Sequence, residues 1–137
     1  MSFRASFCEP FNSDIIELGE IHRNSIIDKF ESINWLDYLR KMQFAEENEI
    51  EYSPSLEIEN KDTKHGLVIS AVGEPGNFEF HIFYKRPKKV RRLFGLIETV
   101  DENYLSDKTR QTRKDVVDCL TALIRNDTNY LESKIGE

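Results

Sequence analysis

Three kinds of side chain in this sequence could do chemistry: histidine beside carboxylate, a dense run of cations, and two lone thiols. His81 lies in a stretch whose side chains alternate, and Glu79 shares its side of that stretch. Glu57 and Glu59 sit in a second alternating stretch that brings carboxylates to the same face. A carboxylate beside an imidazole raises its proton affinity and can form an acid–base pair. The same group also fits a mixed-charge binding face, with Phe83 as its apolar member and Tyr52 as a further aromatic anchor beside Trp35. Asp62-x-x-His65 places another carboxylate and imidazole on a turn, without a second histidine at metal-ligand spacing. His22 falls on an apolar helical stripe and reads as a boundary residue. No metal site and no cofactor are expected.

The cations are Lys85, Arg86, Lys88, Lys89, Arg91 and Arg92, six positive charges within eight residues. Such a cluster suits phosphate, an RNA backbone or an acidic partner, with Tyr84 or Phe94 to stack. It suits equally well a solvated hairpin end whose charges keep a strand edge from pairing with other chains. The whole chain carries a net charge of −6, which argues against a general nucleic-acid binder.

Cys8 and Cys119 have no CxxC partner, and Cys119 sits within a helical apolar pattern, where a thiol is buried and inert. Reduced structural thiols fit a cytoplasmic protein. The sequence contains no GxSxG, and Gly73-Glu-Pro-Gly76 is a turn rather than a phosphate cradle.

The elements that must position these groups follow from periodicity. Asn77 to Lys85 alternates strictly, with Phe78, Phe80, Ile82 and Tyr84 on one side and Glu79, His81, Phe83 and Lys85 on the other. Leu67 to Val72 is a nearly continuous apolar run, expected as a central strand. Glu74-Pro-Gly-Asn77 joins the two as a two-residue turn. If Glu74 faces Asn77, then Ala71 pairs with Phe80, Ile69 with Ile82 and Leu67 with Tyr84, all on one face. Ser70 then sits beside His81 and Val68 beside Phe83 on the other.

Leu56 to Glu59 reads as a short strand, Lys85 to Arg92 as a basic connection containing Pro87, Leu93 to Val100 as a fourth strand, and Asp101 to Lys108 as a polar loop. Before them, Ser13-Asp14 starts a helical pattern through Ile15, Leu18, His22, Ile26, Phe30 and Ile33, and Asn34 caps a second helix. The acidic run Glu46 to Glu51 closes that region. A long helix follows the strands, with Val116, Leu120, Leu123 and Ile124 buried, a break at Asn126-Asp127-Thr128, and Gly136 at its end.

The predicted fold is α+β in two layers: a four-stranded, largely antiparallel meander with N-terminal helices and a C-terminal helix on one face, in the order α-β-β-β-β-α. The 137 residues suit a single domain, 1–137. Phe3, Phe7 and Phe11 are expected either to cover the second sheet face or to leave it open. No apolar run reaches the ~20 residues that span a bilayer, and residues 1–8 lack the apolar stretch of a secretion signal, so no membrane is expected among its partners.

These features give a non-enzymatic, acidic protein-binding module. Size, charge and architecture are those of inhibitor and immunity proteins that neutralise bacterial toxins, although no motif is shared with them. On this reading a basic or toxin-like protein meets Glu57, Glu59, Glu79, His81, Phe83 and Tyr52, or the acidic run. The rivals are a nucleic-acid or phosphate binder using Lys85–Arg92, a small-ligand or enzymatic domain with a pocket between sheet and helices, and a homodimer formed through the wet face.

Overall fold

The computed structural model describes residues 2–136. Its strands are β1 (Phe3–Cys8), β2 (Ile16–Ile21), β3 (Ser55–Asn60), β4 (Gly66–Glu74), β5 (Asn77–Arg92) and β6 (Ile97–Gln111). Its helices are α1 (Ile26–Ser32), α2 (Trp35–Gln43), α3 (Arg113–Ile124) and α4 (Thr128–Ile135). The fold is α+β, with an open antiparallel sheet of six strands in the order β2-β1-β3-β4-β5-β6. The expected four-stranded sheet with a leading helix is therefore corrected: a β-hairpin comes first, and the helices follow it.

Of the helical pattern expected from Ser13 onward, Ile26 and Phe30 do lie buried on α1, but the earlier part is strand β2, and the cause is one glycine. Ala5 pairs with Gly19 and Ser6 with Glu17, so Leu18 is an extra residue in β2, and Gly19 adopts φ +79°. A bulge of this kind needs a residue that tolerates the left-handed region. The extra residue breaks the two-residue alternation and leaves apolar side chains three and four apart, which mimics a helix. Ile16 and Ile21 still face the same side, opposite Phe7 and Phe3.

Strands β3 to β6 form the expected meander. Glu74 faces Asn77, and the pairs Ala71–Phe80, Ile69–Ile82, Leu67–Tyr84, Ser70–His81 and Val68–Phe83 all form. Asn34 caps α2 by accepting from the Asp37 N–H. Thr112 caps α3 in a reciprocal capping box with Asp115. The expected break in the C-terminal helix is present, but Asp127, rather than Thr128, caps α4.

Two further expectations change at the far end of the sheet. The Lys85–Arg92 connection is part of β5, and residues 93–96 form the turn where a strand was expected to start. The supposed loop 101–108 is strand β6. β4 ends at Gly66, opposite Lys85, so from Arg86 onward β5 pairs only with β6. The two-residue turn directs the N–H groups of Asn77, Glu79 and every second residue after them toward β4. Pro87, in that same phase, has passed the end of β4, so its missing N–H costs no hydrogen bond.

The helices cover one face of the sheet. Phe3, Phe7, Leu56, Ile58, Leu67, Ile69, Phe80 and Ile82 meet Ile26, Phe30, Trp35, Leu39, Val116, Leu120 and Leu123 in one buried core. Phe30, Trp35 and Phe80 form its aromatic centre, with ring centroids 5.3–5.7 Å apart. Trp35 donates its indole N–H to the Phe30 carbonyl at 3.2 Å, so it is a core residue and not an interface anchor. Phe3 and Phe7 lie within β1 and point into this core, whereas Phe11 is exposed. The N-terminal segment thus extends the sheet instead of lying over its second face.

Candidate functional site

Side-chain alternation and register together assemble the outer face of the sheet. Cross-strand partners share a face, so Arg4 and Ser6 of β1 stand beside Glu59 and Glu57 of β3. Glu57 stands beside Val68, Val68 beside Phe83, and Phe83 beside Asp107. One step along, Lys85 is opposite Leu105, and farther out Lys89 is opposite Val100. Val68, Phe83, Leu105 and Val100 therefore form a broken apolar line from mid-sheet to the β5–β6 ribbon. The last two are half exposed, at 55% and 50%.

The charges on this face are mostly held by one another. Glu57 accepts from Ser6 Oγ at 3.3 Å through Oε1 and from Lys85 Nζ at 3.0 Å through Oε2. Arg4 Nη2 donates to Glu59 Oε1 at 3.3 Å. His81 Nε2 and Asp107 Oδ2 are 2.7 Å apart, and the His81 ring stacks on Phe83 at a centroid distance of 4.1 Å. The hydroxyls of Ser55 and Ser70 are 2.7 Å apart. These contacts hold the side chains of the face in fixed rotamers.

Of the sequence-selected residues, Glu57, Glu59, Glu79, His81 and Phe83 share the outer face; His81 and Phe83 are in contact, whereas Glu59 and Glu79 lie toward opposite ends of it, in register with Gly66 and Val72. Tyr52 stands apart, in the segment before β3, donating its hydroxyl proton to the Ser13 carbonyl at 2.8 Å. Val100 was placed in a strand but not on this face, while Asp107 and Leu105 were missed because a polar loop was expected there. Their alternation about Ser106, which is buried on the opposite side, is the pattern that could have revealed them. Glu46 to Glu51 forms an exposed acidic turn in which Glu46 and Glu49 cap each other.

The six clustered cations separate into two groups. Lys85 is held by Glu57, while Arg86 and Lys88 both reach Glu132 of α4. Arg86 is 1% exposed and donates further to the Tyr84 carbonyl at 3.0 Å and Ser106 Oγ at 2.6 Å. Burial pushes the Glu132 carboxyl up, but the hydrogen bonds and charge of Arg86, helped by Lys88, hold it below its usual value. Lys89, Arg91 and Arg92 lie farther along the ribbon and have no ion-pair partner among the described residues.

The other candidate groups are occupied locally. His65 Nδ1 is 2.8 Å from the Tyr84 hydroxyl, and Asp62 accepts from the Ser2 N–H, so the Asp62–His65 pair does not form. Burial, reinforced by the Arg86 charge, lowers the His65 pKa, and burial raises that of Tyr84 to about 12. His22 accepts from the Asn24 N–H at the start of a helical turn. Burial pushes the Cys119 thiol up to about 11. Among the described residues, no group of three His, Cys, Asp or Glu side chains could hold a metal ion.

An open cleft of about 370 Å³ between β1, β2 and the helices is lined by Phe7, Leu18, Ile33 and Tyr38, with Glu9 and Asp37 on its rim. It contains none of the three histidines. No helix among the described residues is long and apolar enough to cross a membrane. Comparison with protein-family models, curated proteins and solved structures returned no match for the chain.

Proposed function

We propose that this chain is a non-catalytic protein-binding module of the inhibitor or immunity type, which masks a partner's surface with the outer face of its sheet. The observation that carries this reading is the line Val68–Phe83–Leu105–Val100, left uncovered by the helices and flanked by charges paired within the chain. An apolar centre with an ordered polar border is the anatomy of a protein interface. The net charge of −6, with Glu79 and the Glu46–Glu51 turn exposed, favours a basic partner such as a toxin by speeding encounter and excluding acidic competitors.

The test is affinity capture from the native host, comparing wild type with Phe83→Ser/Leu105→Glu. The expected result is a basic protein recovered in stoichiometric amount by wild type and lost by the variant, which remains folded and unfolds cooperatively. A partner retained by the variant would count against the outer face as the docking surface. RNA recovered with wild type and lost on Lys89→Ser/Arg91→Ser/Arg92→Ser would replace this reading with the nucleic-acid one, which those three unpaired cations favour.

A further inference from the structure

Beyond Lys85 the β5–β6 ribbon leaves the sheet with no third strand beside it. Seven residues of β5, 86–92, run outward before the turn, which at ~3.3 Å per residue carries the tip roughly 20 Å past the sheet. That tip is apolar. Phe94 is fully exposed, Leu96 is 85% exposed, and Leu93 and Ile97 join them at the end of the ribbon. Among the described residues, six of the ten exposed large hydrophobics fall between positions 93 and 105.

The fold does not require such residues there. Leu93, Phe94 and Gly95 adopt φ values of 52°, 59° and 85°, three consecutive left-handed positions. Glycine, asparagine or aspartate meets that requirement with less strain, whereas leucine and phenylalanine are costly choices. Phe94 is fully exposed and Leu93 is 62% exposed, so core packing does not account for their bulk.

Directly behind the apolar tip comes a collar of Lys89, Arg91 and Arg92, none of them in an ion pair among the described residues. Glu98, opposite Arg91, is the one carboxylate on this last stretch of ribbon, and Asp101 lies farther back opposite Lys88. An apolar end followed at once by cations matches the layering of a membrane surface, with acyl chains inside and anionic headgroups outside. The acidic body would be repelled by such a surface, but it sits about 20 Å back, and the Debye length at physiological salt is only about 8 Å. At the tip the local cations decide the sign.

We propose that the tip of the β5–β6 ribbon is a lipid-docking element, which buries Leu93, Phe94, Leu96 and Ile97 at the edge of the acyl region and sets Lys89, Arg91 and Arg92 against anionic headgroups. This goes beyond the protein-binding reading and is independent of it, since the outer-face residues Phe83 and Leu105 are not used. It is compatible with the finding that no helix among the described residues is long and apolar enough to cross a membrane. A surface-docking tip needs only a few residues.

The experiment is vesicle co-sedimentation of the full chain, with mixed phosphatidylcholine–phosphatidylglycerol vesicles against pure phosphatidylcholine. Wild type is expected to bind the mixed vesicles, and to bind them less as salt rises. Phe94→Ser/Leu96→Ser lowers that binding by roughly tenfold or more, and Lys89→Ser/Arg91→Ser/Arg92→Ser removes both binding and its salt dependence. The indole introduced by Phe94→Trp shifts its emission to the blue on binding and is quenched by tail-brominated lipid. All of these positions are exposed, so matching thermal unfolding curves confirm that the variants fold. Failure of wild type to bind mixed vesicles, or binding that survives Phe94→Ser/Leu96→Ser, would overturn the proposal. So would self-association abolished by the same double substitution without any vesicle binding, which would assign the tip to a second copy of the chain. Phe83→Ser/Leu105→Glu leaves vesicle binding intact, which separates this test from that of the outer face.

Discussion

The guanidinium of Arg86 clasps the carboxylate of Glu132, with Nε 3.2 Å from Oε2 and Nη2 2.5 Å from Oε1. This fork joins the root of the ribbon to the last helix, and it is lopsided in burial. Arg86 is 1% exposed at its side chain and Glu132 is 37% exposed. Removing the carboxylate strands a buried cation, a loss on the order of 3–5 kcal/mol. Removing the cation leaves a carboxylate that water and Lys88 can still solvate. Glu132→Ala is therefore expected to destabilise the fold more than Arg86→Met does, by about 1–2 kcal/mol in urea unfolding. Equal losses would contradict the asymmetry.

Asp115 holds the start of α3. The Thr112 backbone N–H, at 2.8 Å, lowers its pKa most, followed by Lys134 at 2.9 Å, and the carboxyl falls from 3.8 to about 2. Because the folded value lies below the unfolded one, the stabilisation is complete above about pH 4 and disappears as pH falls toward 2. It amounts to about 2 kcal/mol. Asp115→Asn should be less stable than wild type by that order near neutrality, with the two unfolding curves converging through this acid window. A deficit that stays constant with pH would show that the carboxylate's charge is not the cause.

The two thiols should differ in reactivity. Cys119 is buried with its pKa near 11, while Cys8 is half-buried, its pKa raised first by burial and then by Glu57. At pH 8 a disulfide reagent is expected to label Cys8 slowly in the native protein and Cys119 only as the chain unfolds. Native Cys8→Ser should be silent until denaturant is added. Rapid labelling of that variant would mean that the α3 face opens.

Two phenylalanines three residues apart test which side is dry. Phe80 packs edge-on against Trp35 at 5.5 Å, so Phe80→Ala should cost about 3–5 kcal/mol in chemical denaturation. Phe83 sits on the open face under the His81 ring, and Phe83→Ser should cost less than about 1 kcal/mol. A reversal of these two magnitudes would invert the sheet.

The β4–β5 pairing was legible because a two-residue turn and an apolar alternation impose the same register, and a slip of one residue would turn Phe80 and Ile82 outward. Asn34 was legible because its side chain caps without help from the rest of the fold. The β1–β2 hairpin was hidden by the bulge at Gly19, and the ribbon by water on both of its faces, which removes the need for alternation. The site divides along the same line. Glu57, Glu59, Glu79, His81 and Phe83 could be grouped from strands with one dry face. Asp107, Leu105 and Val100 belong to a strand whose inward positions, such as Ser106 and Gln111, are polar and buried, so hydrophobicity does not mark them. Tyr52 carried no periodic pattern to fix its place.

The placement of β1 between β2 and β3 governs the order in which the polypeptide can mature. Its Ala5 meets Gly19 locally but must wait for Ile58 on the other side, with both α1 and α2 synthesised in between. By itself the β1–β2 hairpin is only marginally stable, because two strands alone bury too little apolar surface. The meander from β3 onward can zip through neighbouring contacts, but docking the first hairpin requires closure of a long loop. That late step shields the β3 edge, so a chain shortened by its first eight residues would display Leu56 and Ile58 on an unguarded rim and would tend to clump rather than simply loosen.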